Sequence, residues 1–322
     1  MLSKLFTRLG LVIGICLMWL GLGAWYQAVR YAPRDNLVKH RAILQHLAQA
    51  PKVLFLGDSH VAYGIRNSEL PHGWKNLSYP GDKYGDMLLK LEYLKSRGLL
   101  PQLLVLQMDP HKWAVTTGYL DGTRYLPLLP IELVGEIANW DIAEKGWNSL
   151  YVHLPVASPA FREELFRVLV RDVGAALRGQ SLPQLIELDS LNDWQTTEDG
   201  KWAVLGTRER MQATQQKVEL HFGNGGLDSV NVRYLRQILA FCAANQVKVV
   251  GIQMPVTPLY REGREAKMSD FPLNPVSFPV LNFTDSLSNR ETCFSDPNHL
   301  NVRGSRLFTP LVVRELQRVA PQ

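Results

Sequence analysis

Two short stretches hold residue types that could do nucleophilic chemistry together. Gly57-Asp58-Ser59-His60 follows the apolar run Val53-Leu54-Phe55-Leu56, and Ser295-Asp296-Pro297-Asn298-His299-Leu300-Asn301 lies near the C-terminus. A serine ending a buried parallel strand projects into the crevice at the carboxyl edge of the sheet, where α/β folds place ligands. Glycine before it permits a sharp turn. Serine is a weak nucleophile at its free pKa and needs a base. Asp296 and His299, separated by a Pro-Asn pair, can share one turn. The carboxylate then orients the imidazole while the other ring nitrogen faces Ser59. His60 follows Ser59 directly and can line the pocket, but neighbouring side chains at a strand end diverge, so it is not read as the base.

The surrounding pattern is that of a parallel α/β sheet. Val53-Leu54-Phe55-Leu56, Leu103-Leu104-Val105-Leu106 and Val247-Lys248-Val249-Val250-Gly251-Ile252 read as buried strands. Residues 84–97 and 232–245 read as intervening helices, and 303–319 as a closing helix. Residues 30–51 form a helical neck ended by Pro51, with Leu37, Ile43, Leu44 and Leu47 near helical spacing. Residues 119–230 differ in character and read as a large, mostly helical insertion, with an amphipathic helix over 161–178. The sheet domain is then 52–118 with 231–322. Trp140, Trp147, Trp194 and Trp202 of the insertion are taken as core. Gly223-Asn224-Gly225-Gly226 lacks the strand-to-helix context of a phosphate loop and reads as a turn.

The chain has 322 residues, 46% of them apolar and 20% charged, with a formal charge of +5. This is a globular composition. The positive charge is spread along the chain without a basic and aromatic patch, which argues against nucleic-acid binding and suits a membrane surface or an anionic glycan. Its three cysteines, Cys16, Cys242 and Cys293, form no C-x-x-C. His72, His153 and His221 have no ligand-like spacing, so neither metal nor cofactor is expected. Lys4 and Arg8 precede an uncharged run over residues 9–29, closed by Trp25 and Tyr26. Such a helix spans about 30 Å, a bilayer core, and rings at its end favour the interface. Residues 1–29 are read as a single-pass anchor in the cytoplasmic (inner) membrane, with the body on the periplasmic, extracytoplasmic side. A cleaved signal peptide remains the alternative.

The two chemical stretches resemble the first and last blocks of the SGNH (GDSL-type) hydrolases. Gly57, Asp58 and Ser59 match Gly-Asp-Ser, and Asp296 and His299 match Asp-x-x-His before the last helix. The resemblance implies an SGNH-like, flavodoxin-like sheet and a Ser59–His299–Asp296 triad. It also implies oxyanion donors in the Ser59 N–H and in Gly81, which ends Asn76-Leu77-Ser78-Tyr79-Pro80-Gly81. The third block departs: where Gly-x-Asn-Asp is expected, the chain has Gln107-Met108-Asp109-Pro110-His111. Asp109 and His111 could be structural or bind the substrate, and further roles are open here. His111 could donate to the oxyanion in place of the asparagine, it could be a rival base, or Asp109 could bind substrate with Asp58 and His60. The anchor and this departure narrow the likeness to membrane-anchored SGNH-like acyltransferases of cell-envelope polymers. Those include the D-alanine-transfer protein of teichoic-acid modification, similar also in Met254-Pro255-Val256-Thr257-Pro258, and the proteins of exopolysaccharide O-acetylation. The likeness covers about 52–113 and 246–315. It implies a serine-dependent acyl transfer, of acetyl above all, to a polysaccharide or other envelope acceptor, with a membrane-bound O-acyltransferase as partner. An envelope esterase and a non-catalytic scaffold for such a partner are the alternatives.

Overall fold

In the computed structural model, five strands form one sheet: β1 (Val53–Leu56), β2 (Trp74–Asn76), β3 (Leu103–Gln107), β4 (Lys248–Gln253) and β5 (Val280–Asn282). Their order is β2-β1-β3-β4-β5, and every neighbouring pair is parallel. Val53 registers with both Trp74 and Leu103, Leu103 with Lys248, and Gly251 with Val280. All positions of β1 and β3 are buried, as central strands covered on both faces must be. The structure describes residues 36–114, 201–223, 225–268 and 278–319, with the single positions 10, 125, 128 and 129.

The chain divides into two compact units, residues 1–45 with 126–190 and residues 46–125 with 191–322. The first contains helix α1 (Asn36–Gln45), where the neck was expected. The second contains the sheet and the helices α2 (Ser59–Gly64), α3 (Tyr84–Ser96), α4 (Lys201–Val204), α5 (Thr207–Phe222), α6 (Ser229–Ala244), α7 (Pro258–Lys267) and α8 (Val302–Val319). α6 packs on α3 and β4, α5 on α7, and α8 on α2. The α/β class and the three long strands agree with the sequence reading, within one residue at each end. β5 was not foreseen: three residues following an unassigned stretch carry no usable period.

The described residues 201–223 and 225–230, read with the insertion, fall in the second unit with the sheet. Trp202 is buried among Phe294, Phe308 and Leu316 in the core on one face of the sheet, and it is core as expected. The 161–178 helix and Trp140, Trp147 and Trp194 lie outside the described residues, as does the 9–29 run apart from Gly10. Among the described residues, no helix is long and apolar enough to cross a membrane.

Two glycines permit the close approaches that shape the carboxyl edge of the sheet. A Cβ on Gly57 would come within 2.7 Å of Gln107 Oε1 and would also strike Val61. A Cβ on Gly304 would strike the carbonyl oxygen of Cys293, so α8 can sit against the strand-like segment that leads into Asp296. That segment closes on itself through the Phe294–Leu300 bridge. Overpacking at such a point costs about 1–3 kcal/mol. Gly304→Ala should lose that much in urea unfolding, while the exposed neighbour change Arg303→Ala should stay within about 0.5 kcal/mol.

Candidate active site

Ser59 opens α2 at the carboxyl end of β1, after the Asp58 N-cap. Its Oγ lies 2.7 Å from His299 Nε2. His299 Nδ1 lies 2.7 Å from Asp296 Oδ2. A carboxylate only accepts, so Nδ1 carries the proton and donates to Asp296, and Nε2 is left to accept from the Ser59 hydroxyl. The turn is closed by Asp296 Oδ1, which accepts from the backbone N–H of Asn298 at 3.0 Å and of His299 at 2.9 Å. Ser59 and His299 are only partly buried, and the Asp296 side chain is 38% exposed, so the three-residue relay opens toward solvent.

The protonation states suit a general base. Burial lowers the His299 pKa; the Asp296 hydrogen bond and charge oppose this, and positive charge from His60 and Lys217 helps it, leaving the pKa below the ordinary histidine value. Burial would raise Asp296, but the hydrogen bond and charge of His299, with Lys217, hold its carboxyl well below the usual range.

Two further Asp–His pairs lie beside the relay. His60 Nδ1 is 2.9 Å from Asp109 Oδ2, and His111 Nε2 is 2.8 Å from Asp58 Oδ2. The His60 ring stands edge-on to His299 at 4.9 Å and 4.4 Å from His111, and His111 stacks on His221 of α5 at 5.0 Å. His221 Nδ1 lies 2.5 Å from the Tyr260 hydroxyl. Lys112 Nζ is 3.3 Å from Asp58 Oδ2 and also donates to the Asp82 carbonyl. Burial alone would raise Asp58, but Lys112 and His111 hold it well below the carboxylate range.

These contacts place several of the expected residues. Asp58, His60 and Asp109, expected at the substrate, are buried and bonded to one another's loops rather than lining an open surface. The histidine that meets Ser59 is His299, while His111 Nε2 meets Asp58. Its Nε2 is engaged by Asp58, so this nitrogen is not free to donate to an oxyanion.

Gly81 lies in an exposed turn with φ +78°. Beyond β2 the chain continues alongside the nucleophile loop: Leu77 N–H donates to Phe55 O at 3.1 Å and Tyr79 N–H to Gly57 O at 3.2 Å. Gly81 is two residues further on, within about 7 Å of Tyr79 along the backbone. The turn is anchored from below. Lys90, fully buried on α3, donates to Leu77 O at 2.6 Å and to Asp82 Oδ2 at 2.5 Å, and Tyr125 donates to Asp82 Oδ1 at 3.1 Å.

The donor atoms of His60, Asp109 and His111 all lie within 4.8 Å of one another, a metal-like set. Drawing them onto one cation would disturb the His60–Asp109 bond, in a site where the Lys112 ammonium already stands 3.3 Å from Asp58. The donor set therefore fits a proton network better than an ion.

Sequence reasoning missed Gln107, Asn298, Lys112 and His221. Asn298 stands inside the quoted C-terminal stretch, and only its neighbours were given roles. Gln107 opens the third block and Lys112 follows it. His221 has no local signal; its partners are His111 and Tyr260. A scan against models of known protein families matches none of them, and no curated protein matches the chain.

His221 makes a pH test. Burial, with the charges of His111 and His60, pushes its pKa down to about 2. Below the unfolded value of about 6.5, the unfolded chain takes up a proton that the folded site refuses. Stability contributed by this group is therefore complete above that pH and is lost as pH falls, by up to about 1.4 kcal/mol per unit. His221→Gln keeps an acceptor for Tyr260. Urea unfolding between about pH 6.5 and 4.5 should show a shallower loss in this variant than in the wild type.

Proposed function

We propose that this chain is a serine acyl-transfer enzyme of the SGNH type, tethered by its N-terminal 29 residues to the cytoplasmic membrane and acting outside it on an envelope or extracellular polysaccharide. The observation that carries the reading is the Ser59–His299–Asp296 relay, in which the acceptor nitrogen faces a partly exposed serine. It stands at the carboxyl edge of a parallel sheet, where such chemistry is placed. The tether comes from the uncharged run over residues 9–29, and the acetyl group comes from the sequence resemblance, as does the partner, a membrane-bound O-acyltransferase that would deliver the acyl group.

In the first step His299 Nε2 takes the Ser59 proton as Oγ attacks the carbonyl of an ester or thioester donor. The charge that gathers on the carbonyl oxygen is met by the N–H groups of Ser59 and Gly81. The tetrahedral species collapses, and His299 returns the proton to the leaving oxygen or sulfur, giving acyl-Ser59. In the second step His299 deprotonates a sugar hydroxyl, whose oxygen attacks the acyl carbon, and the proton goes back to Ser59. Asp296 stays ionised throughout and stabilises the imidazolium.

The test is covalent trapping of the full-length protein by a fluorophosphonate, read by intact mass and peptide mapping. The label should fall on Ser59, vanish in Ser59→Ala, and form about a thousandfold more slowly in His299→Ala. Labelling that survives Ser59→Ala would sink the nucleophile assignment. With an acetyl ester as donor and a soluble oligosaccharide added, acetyl should partition to sugar in preference to water. Release to water alone would favour the esterase alternative.

A further inference from the structure

His60 is placed at the centre of the site, although it is neither the base nor open to solvent. It is 3% exposed and bonded at both ring nitrogens. Nδ1 meets Asp109 Oδ2 at 2.9 Å, and Nε2 meets the side-chain amide of Asn298 at 2.6 Å. Asn298 is the residue just before His299. Its backbone N–H shares the Asp296 Oδ1 acceptor with that of His299. Among the described residues its side chain has no bond other than the one to His60.

We propose that His60 is a positioning residue: anchored by Asp109, it clamps the Asn298 amide and so fixes the turn that presents His299 to Ser59. The anchor is itself braced from two directions. Asp109 Oδ2 also accepts from Gln107 Nε2 at 2.6 Å, and Oδ1 accepts from the Met254 N–H at 2.7 Å. Gln107 Oε1 in turn accepts from the Asp58 N–H at 2.6 Å. The clamp therefore joins the loops after β1, β3 and β4 to a turn more than two hundred residues from Ser59 in sequence. These are buried bonds between loops, each with a partner that would be left unsatisfied by loss of the other.

The clamp also sets charge beside the base. Facing His60 are Asp58 on its own loop, Asp109 and His111 after β3, and Asp296 and His299 on the C-terminal turn. Lys112 lies beyond Asp58, and His221 of α5 lies beyond His111. Burial disfavours a charged His60, but the bond and charge of Asp109, with Asp58 and Asp296, outweigh it and raise its pKa. His299 moves the opposite way, in part because a positive His60 stands against it. The clamp holds in either state of His60. The Asn298 amide nitrogen donates to the neutral ring, and the amide turned over offers its oxygen to the Nε2–H of the imidazolium.

The catalytic consequence rests on the acyl-transfer reading, whereas the clamp does not, and two readouts on full-length protein separate them. The first follows the His299 ring by NMR across pH, with 13C-labelled histidine and the resonance assigned through His299→Ala. In His60→Gln the titration of His299 should move to higher pH, because a neighbouring positive charge is gone. His299 ring shifts and a titration unchanged from wild type in both His60→Gln and Asn298→Ala, the second of which removes no charge, overturn the inference whatever the enzyme does.

The second readout is the rate of fluorophosphonate inactivation. His60→Gln and Asn298→Ala should each slow the maximal rate about ten- to a hundredfold with little change in the concentration dependence, the signature of a displaced base. Because both break one clamp, the double variant should be no slower than the slower single. Losses that multiply in the double variant overturn the inference. If wild type takes no label, the acyl-transfer reading fails and the titration alone decides the clamp. Asn298→Ala trims only the far side of the contact, so it keeps the rate comparison available should His60→Gln not fold.

Discussion

Three carboxylates crowd around Ser59, and the rest of the site follows from the need to satisfy them. Asp58 and Asp109 are buried, and Asp296 is partly so. An ionised carboxylate taken out of water costs several kcal/mol unless donors and positive charge surround it. Each of the three meets a histidine, at 2.8, 2.9 and 2.7 Å. Asp58 is also 3.3 Å from Lys112, and Asp109 takes donors from Gln107 and Met254. The histidines are consequently packed ring against ring, so they cannot all be charged. His60 is raised, and His299, His111 and His221 are lowered. A free-base His299 beside a nucleophile is one outcome of that distribution.

The fold answers this need by bringing loops from distant stretches to one edge. β1, β3 and β4 are adjacent and parallel, so their following loops deliver Asp58, Asp109 and Met254 side by side. The fourth contributor, the 295–299 turn, is not the end of a strand in the sheet. It is held by the Phe294–Leu300 bridge and by the approach of α8 at Gly304. Asn301 strengthens that hold, with its amide nitrogen donating to Thr292 O at 2.9 Å and its Oδ1 accepting from Gly304 N–H at 2.9 Å. The polar residues just after the histidine thus serve the geometry of the turn rather than a substrate.

Legibility in the sequence followed the range of each interaction. Ser59 could be read because an apolar run and a glycine mark the strand end directly before it. Asp296 and His299 could be read because their contact spans three residues and needs only one turn. The strands β1, β3 and β4 were visible as continuous apolar runs bounded by turn residues. The pairings His60–Asp109, His111–Asp58 and His221–Tyr260 were not visible, since no local pattern selects a partner 39 to 53 residues away. Asp109 and His111 even suggested a local Asp-x-His pair. The extended backbone at Asp109, which leads into the short 3₁₀ turn Pro110–Lys112, directs the two to different partners. The membership of 201–230 in the sheet unit was equally hidden, because α5 is mostly polar and packs through few positions.

The departure of the third block also has a physical meaning on the acyl-transfer reading. The neutral amide expected there could donate to an oxyanion, whereas Asp109 and Gln107 are committed elsewhere. Asp109 is ionised and only accepts, and the amide of Gln107 is directed inward, donating to Asp109 while its oxygen accepts from the Asp58 N–H. On that reading the Ser59 and Gly81 N–H groups carry more of the charge, and an absent donor is worth about 2.7–4 kcal/mol of barrier. An enzyme that must hydrolyse quickly with water would be handicapped by that loss. One that receives an activated acyl group and holds its acceptor hydroxyl against His299 is less exposed to it. A more reactive donor lowers the first barrier, and a bound acceptor gains from orientation what the missing donor no longer supplies. Gln107 of that block braces Asp109, and through it His60 and Asn298.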